Sequence, residues 1–399
     1  MNFLGSALRQ LTPEKAWRQN QRILEIAAKP GPNQWCWNLL PGLAKIRKDP
    51  LTMLIIANNL AGRETATDIR QALSLIEEAK KELRDHPLPE KNQAYILDWA
   101  DLVGAKAVLR LSEVGAGDGT GDAEKTLKKL STSQLTWAEV DIELASLKEK
   151  QGRLDEAMAY LDAAVKKLPR DRKTEEPNPD EARIYLHKFI LGLLADNKEA
   201  VQQAAKEALS KVKKDKNGKV TEATSPFAFG AALGMLLTDA EGWEQVSLEF
   251  LQTDHQYVPY VAMILYSRPG GKGQIGPLKI IQDRWARAKH NWKVRLSQGD
   301  QTAWREMLIG YYLGKVPRER IFADLEDEAH FANSGMKSVM PLRGMRCEAY
   351  FYEALLAGTK GDKIGMTSSL EKAIGTDSRG YIEYAMAKFL LAQQKKGAK

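Results

Sequence analysis

Residues 136–169 read TWAEVDIELASLKEKQGRLDEAMAYLDAAVKKLP, and this stretch decides how the rest of the chain is read. In its first half Val140, Leu144 and Leu147 recur every three or four residues, and in its second Leu154, Met158, Leu161 and Val165 do the same. Such spacing puts each set on one face of an α-helix. Gln151 and Gly152 end the first helix, glycine being the residue that accepts a left-handed C-terminal conformation. Asp155 and Glu156 fall in the first turn of the second helix, where negative charge favours the dipole. Ala145, Ala157 and Ala164 are small enough to let the two backbones approach, and Pro169 closes the unit.

Working outward, the same pattern recurs. Residues 51–61 and 68–83 form a pair around a Gly62 stop, with Ala72, Ile76 and Ala79 spaced like Ala157, Leu161 and Ala164. Over 180–212, Ile184, Leu186, Phe189, Ile190, Leu193 and Leu194 make a first helix, Ala195-Asp196-Asn197 a turn, and Ala200, Ala204, Ala208 and Leu209 a second. Residues 302–325 open with Trp304, Met307, Leu308 and Tyr311. Residues 346–376 carry Tyr350, Phe351, Ala354 and Leu355, a Gly361-Asp362 turn, then Met366, Leu370, Ala373 and Ile374. A helix over 381–392 would cap the last pair.

The repeat length, the glycine turn, the spaced alanines and the closing proline together resemble the tetratricopeptide repeat (TPR) family, over about half the chain. The resemblance implies an all-α fold, a right-handed α-α superhelix of antiparallel helix pairs whose inner groove, lined by first helices, holds a partner segment. On that plan the chain divides into an N-terminal helical-repeat region (1–212), an exposed linker (213–226) and a C-terminal helical-repeat region (227–399). Glu139, Ile142, Ser146 and Glu149 then line the groove, and Arg305 and Tyr312 occupy similar places beside Trp304 and Tyr311.

Composition supports a folded, non-membrane chain. Apolar residues make up 43% of the 399, enough to fill a core and to exclude disorder as a description of the whole. No apolar run of signal-peptide or membrane-spanning length occurs, so a soluble, cytoplasmic protein is expected. The net charge of +7 comes from 59 basic residues interspersed with 52 acidic ones, which suits solubility more than nucleic-acid binding. Cys36 and Cys347 stand too far apart for a disulfide framework, and no Cys/His metal spacing occurs. Upstream, residues 11–28 read as a first helix with Trp17, Ile23 and Ile26 buried, and Trp35, Cys36 and Trp37 as a turn-rich cap on that layer.

Other readings attach to short segments. VLRLSEVGAGDGTG, residues 108–121, resembles the strand and glycine loop of S-adenosylmethionine-dependent methyltransferases, and residues 138–145 the acidic strand end that follows. That likeness implies Asp141 on the cofactor ribose. It requires a strand before the glycines, whereas the apolar spacing is helical back to Glu90. The DKNG at 215–218 resembles the opening of a calcium loop, but Val220 stands where glycine is required and Pro226 where a bidentate glutamate is. SRPGGKGQIGP, residues 267–277, lacks the Gly-Lys-Ser/Thr ending of a phosphate loop. Residues 279–295 interleave Arg284, Arg287, Lys289 and Lys293 with Trp285 and Trp292, a pattern suited to single-stranded nucleic acid. Helical spacing gives the simpler account, with Ile280, Ile281, Trp285 and Ala288 buried and the cations solvated.

The five histidines are scattered, and no serine or cysteine sits in a nucleophile elbow. The expectation is a non-catalytic scaffold or adaptor without a cofactor, binding a protein partner. The methyltransferase and a nucleic-acid-contacting scaffold are the alternatives.

Overall fold

The computed structural model describes residues 50–397, apart from 63–64, 89, 134–136, 169–178, 254, 268–274, 289–290, 298–299 and 334–341. The expected first helix at 11–28 and the Trp35-Cys36-Trp37 cap lie outside the described residues, as do Lys289 and most of the 267–277 loop. The described chain is all-α: it holds nineteen α-helices, one short 3-10 turn and an isolated bridge between Lys214 and Val220, with no strand. Among the described residues no helix is long and apolar enough to cross a membrane.

Two compact units are formed. One takes the chain to Gln151 together with Asp162–Lys167, the other takes Gly152–Leu161 and the chain from Leu168. The first unit is built from α1 (Pro50–Ala61), α2 (Ala66–Asp85), α3 (Glu90–Glu113), α4 (Thr120–Ser131) and α5 (Ala138–Lys150), and α6 (Leu154–Lys167) straddles the division. Thr65 begins α2 by accepting the amide of Asp68 at 3.1 Å, and Gly152 ends the turn after α5 at a φ of 75°. Each helix packs on the next from α1 to α5, and α3 also touches α1 and α5. Of the stripes expected from the sequence, Val140, Leu144 and Leu147 on α5 are buried; on α6 Leu161 is buried together with the small Ala157 and Ala164, while Leu154, Met158 and Val165 are half-buried.

α4 is the element the sequence reading passed over, because Gly115, Gly117 and Gly119 precede it and Gly121 falls in its first turn. Its Ala123, Leu127 and Leu130 are buried at helical spacing, and it packs between α3 and α5. As a result α5 is enclosed round most of its circumference, polar residues included. Asp141 meets Lys167 at 2.7 Å and Ser131 at 2.8 Å, and Lys148, fully buried, meets Glu124 at 2.6 Å.

The second unit follows with α7 (Pro179–Leu194), α8 (Lys198–Leu209), α9 (Ser225–Thr238), α10 (Trp243–Leu251), α11 (Val258–Ser267), α12 (Ile275–Ala286) and α13 (Trp292–Ser297). It ends with α14 (Gln301–Tyr312), α15 (Arg318–Glu326), α16 (Glu328–Asn333), α17 (Leu342–Thr359), α18 (Lys363–Gly375) and α19 (Ile382–Gly397). The hairpins α7–α8 and α17–α18 stand where the repeats were expected. Asn197, Asp300 and Asp362 cap α8, α14 and α18 through their side chains. α9, apolar on every side, is buried on every side.

The last helix of this unit returns to the first long one. α19 packs on α7, and Asp196, just past the end of α7, accepts from Gln393 at 2.8 Å and pairs with Lys396 at 2.6 Å.

The segment 213–226 does not separate the units. Asp215 accepts the amides of Asn217 and Lys219, folding the lysine-rich stretch into a tight turn around Gly218. On either side of it α8 and α9 pack directly on one another through Ala208, Phe227 and Ala231, so the division falls near residues 151–168 instead.

Candidate functional site

The functional candidate that geometry brings together lies in the second unit, on two glutamates that occupy positions in apolar stripes. On α17 the buried Met345, Phe351, Tyr352 and Leu355 flank Glu348 at helical spacing. On α19 Glu383 precedes the buried Met386 and Ala387 by three and four residues. A helix packed on two sides carries such a glutamate inward with its neighbours.

Around the pair stand aromatic and cationic groups from four elements. Trp304 of α14 donates its indole Nε1–H to Glu348 Oε2 at 2.8 Å, and Arg305 follows it on the same helix. The Arg305 guanidinium lies 5.2 Å from the Tyr257 ring centre and donates to Gln256 Oε1 at 2.5 Å. Tyr260 of α11 and Tyr352 of α17 meet with ring centres 5.0 Å apart. Phe229 of α9 stacks on Tyr257 at 4.9 Å and on His255 at 5.7 Å. The cluster is graded: Glu383, Trp304, Tyr260 and Tyr352 are buried, while Glu348, Arg305, Tyr257 and His255 are half-buried and bring it to the surface.

Loss of water dominates the electrostatics. Burial raises the Glu348 carboxyl to about 7, against the opposing pull of the Trp304 hydrogen bond and of Arg305. Burial, with repulsion from Glu348, raises Glu383 to about 8. Burial and the Arg305 charge lower His255, which favours its neutral form. Tyr260, Tyr352 and Cys347 are raised by burial and remain protonated at neutral pH. Two carboxylates so placed are costly to ionise together, so the pair retains a proton through neutral pH and titrates as a unit. Chemically, the arrangement can hold and release one proton and can present an arginine, a tyrosine and a carboxyl at one surface. Among the described residues no group of three or more His, Cys, Asp or Glu side chains converges as a metal site would require.

The residues expected to line a groove are dispersed. Glu139 is held by Lys106 at 2.6 Å, and Ile142 and Ser146 are half-buried on α5. Glu149 is buried, because α5 is enclosed on its polar side as well as its apolar one. Tyr312 is buried too, its hydroxyl donating to the carbonyl of Met263 at 3.0 Å, which removes it from any groove. Arg305 alone of the six joins the carboxylate cluster.

The basic stretch resolves differently from its sequence pattern. Arg284 is half-buried and Arg287 exposed at the end of α12, and Lys293 belongs to the short α13. Arg295 is committed to Asp300 at 2.8 Å and to Glu306 at 2.5 Å. Both tryptophans pack against the core with ring centres 5.5 Å apart. Trp285 fits over Gly310, where an added Cβ would fall 2.2 Å from the ring. The glycine loop at 115–121 follows α3, which is helical through Glu113, so the strand that a methyltransferase reading requires is a helix. Asp141 is tied to Lys167 and Ser131.

Glu348, Glu383, Tyr257 and Tyr352 were not singled out in the sequence. The available signal was a charged residue standing in an otherwise apolar helical repeat. No family model matches the chain, and no curated protein is significantly similar to it.

Proposed function

We propose that the protein is a non-catalytic helical adaptor of TPR-like build, working in the cytoplasm, that binds a segment of a partner protein. The observation that carries the reading is the half-buried surface made by Arg305, Tyr257, Gln256 and His255 above the glutamate pair. Arginine and tyrosine dominate the energetics of protein recognition because each offers a broad, rigid contact with a polar end. Here both are preorganised, the guanidinium already stacked on the ring, so little ordering opposes association. Helix pairs with TPR-like alanine spacing support the same reading, since stacked pairs leave one face of their helices for a ligand. On α5 the corresponding face offers Glu139, Ile142 and Ser146.

The test is site-directed photo-cross-linking with a photoreactive amino acid in place of Gln256. The expected outcome is one protein captured through one segment, with yield reduced at least tenfold by Arg305→Glu. Absence of a discrete product, or a product indifferent to Arg305→Glu in a variant of unchanged helicity, overturns the proposal.

A further inference from the structure

We propose that Glu348 and Glu383 form a proton-operated latch: with at least one of them protonated α19 stays closed on α17, and when both are charged α19 and its contact with α7 loosen. The inference concerns the closure of the second unit and does not depend on what that unit binds.

The geometry places the pair at the seam of that closure. Glu348 belongs to α17 and Glu383 to the first turn of α19, and the two helices pack directly on one another. The same α19 then continues to α7, where Gln393 and Lys396 hold Asp196. Repulsion at the start of α19 therefore acts on the helix that completes the unit.

The groups facing the pair give it little relief. Cys347 and Tyr352 of α17, Tyr260 of α11 and Tyr257 before it are all raised and uncharged at neutral pH, and His255 is lowered; the Tyr352 hydroxyl, through its hydrogen bond to Glu383, is the neutral group that eases its charge. Arg305 of α14 is the cation that faces both glutamates, and it is shared with Gln256 and the Tyr257 ring. On α7, Lys188 is committed to Glu207, Glu181 to Lys211 and Asp196 to Lys396, with His187 on the same helix. On α18, Lys372 lies over the Tyr350 ring. In the connection before α19, Arg379 pairs with Asp377. Among the described residues one arginine thus balances one carboxylate, and a second negative charge has no cation of its own.

The direction follows from linkage. Both carboxyls are raised above the ordinary 4.5, so the folded unit binds more protons than the unfolded chain between that value and about 8. The stabilisation is complete below pH 4.5 and is lost as pH rises through about 7 to 8.

Hydrogen exchange of the intact chain, expressed as protection factors from pH 5.5 to 9, tests the latch. Protection of α19 and α17 is expected to fall from pH 5.5 to about 8, by about tenfold per pH unit for each proton the pair still holds, and to level off above that. Glu383→Gln and, separately, Glu348→Gln should flatten the dependence and leave α19 better protected than the native chain at pH 8.5. Protection that is level with pH in the native protein, or that keeps its slope in both variants, overturns the proposal. Infrared spectroscopy of the unmutated protein guards against a variant that fails to fold: a protonated carboxyl band at pH 6.5 that vanishes by pH 9 is expected. Its absence at pH 6.5 refutes the latch.

Discussion

Two places in the molecule bury charge in opposite ways, one around α4 and α5 in the first unit and one between α17 and α19 in the second. In the first, Lys148 and Glu124 meet at 2.6 Å and Lys167 and Asp141 at 2.7 Å, so each buried ion has a partner of the other sign. In the second, two carboxyls stand together with one arginine facing them. Burial is common to both; the sign of the neighbour decides the response to pH. Hydrogen bonds from Lys128 and Lys148 lower the Glu124 carboxyl to about 2, whereas desolvation raises Glu348 and Glu383. A difference in protons bound by folded and unfolded chains is a difference in stability, so acid should weaken the packing of α4 on α5 and mild alkali that of α17 on α19.

The comparison breaks most sharply at Lys148. Changing Lys148→Ala leaves the half-buried Glu124 with the exposed Lys128 and the Gln151 amide, and removes a fully buried side chain from α5. Breaking a buried pair in this way costs about 3–5 kcal/mol, to be read as lost hydrogen-exchange protection in α4 and α5 at neutral pH. Protection of α17 and α19 should be unaffected.

Acid gives the next effect. Glu124 contributes stability that is complete above its ordinary value of 4.5 and disappears as pH falls toward about 2, on the order of 2 kcal/mol once solvent screening of its partners is allowed for. Between pH 5 and 3, α4 and α5 should therefore lose protection while the carboxyl pair of the second unit, already protonated, keeps α17 and α19 in place. Equal loss in both units would show that local pairing does not govern the acid response.

Gly310→Ala probes packing in the second unit without altering any charge. The new methyl would fall within 2.6 Å of both Trp285 and Val316 and force the indole away, at about 1–3 kcal/mol in thermal or denaturant unfolding, independent of pH. Smallest are the uncharged helix caps, one in each unit. Thr65→Ala removes the acceptor for Asp68 and Asn197→Ala that for Ala200, each costing about 1 kcal/mol at every pH. These two serve as the flat baseline against which the slopes above are judged.

The fold was legible because helical periodicity is local. The pair expected over 51–61 and 68–83 is α1 and α2 to within about two residues at each end, and the Gly152 and Gly361 turns were recognisable because glycine fits a positive φ. α4 escaped because its N-terminal boundary lies among glycines, with Gly119 in the cap position and no side-chain cap to announce it. The arrangement of helices was less accessible. Nothing within 213–226 told that α8 and α9 close over that segment, since its lysines suit a folded turn as well as an extended linker.

The candidate site was legible only at Arg305. Glu348 and Glu383 lie 35 positions apart and acquire meaning through the packing of α17 on α19, which no periodicity encodes. Each glutamate did interrupt an apolar stripe, and that interruption is the trace such a site leaves in a sequence. Tyr312 shows the reverse: its stripe position suggested a contact surface, but the carbonyl of Met263 claims its hydroxyl.

The bond between Gln393 and Asp196 spans 197 residues. During synthesis the growing chain will have finished α7 long before the helix that covers it leaves the ribosome. Contacts of such long range form slowly, because a large loop must close before they repay its entropy. For about half of the chain's synthesis the side of α7 that α19 covers must wait, so the nascent second unit stands to gain from a chaperone.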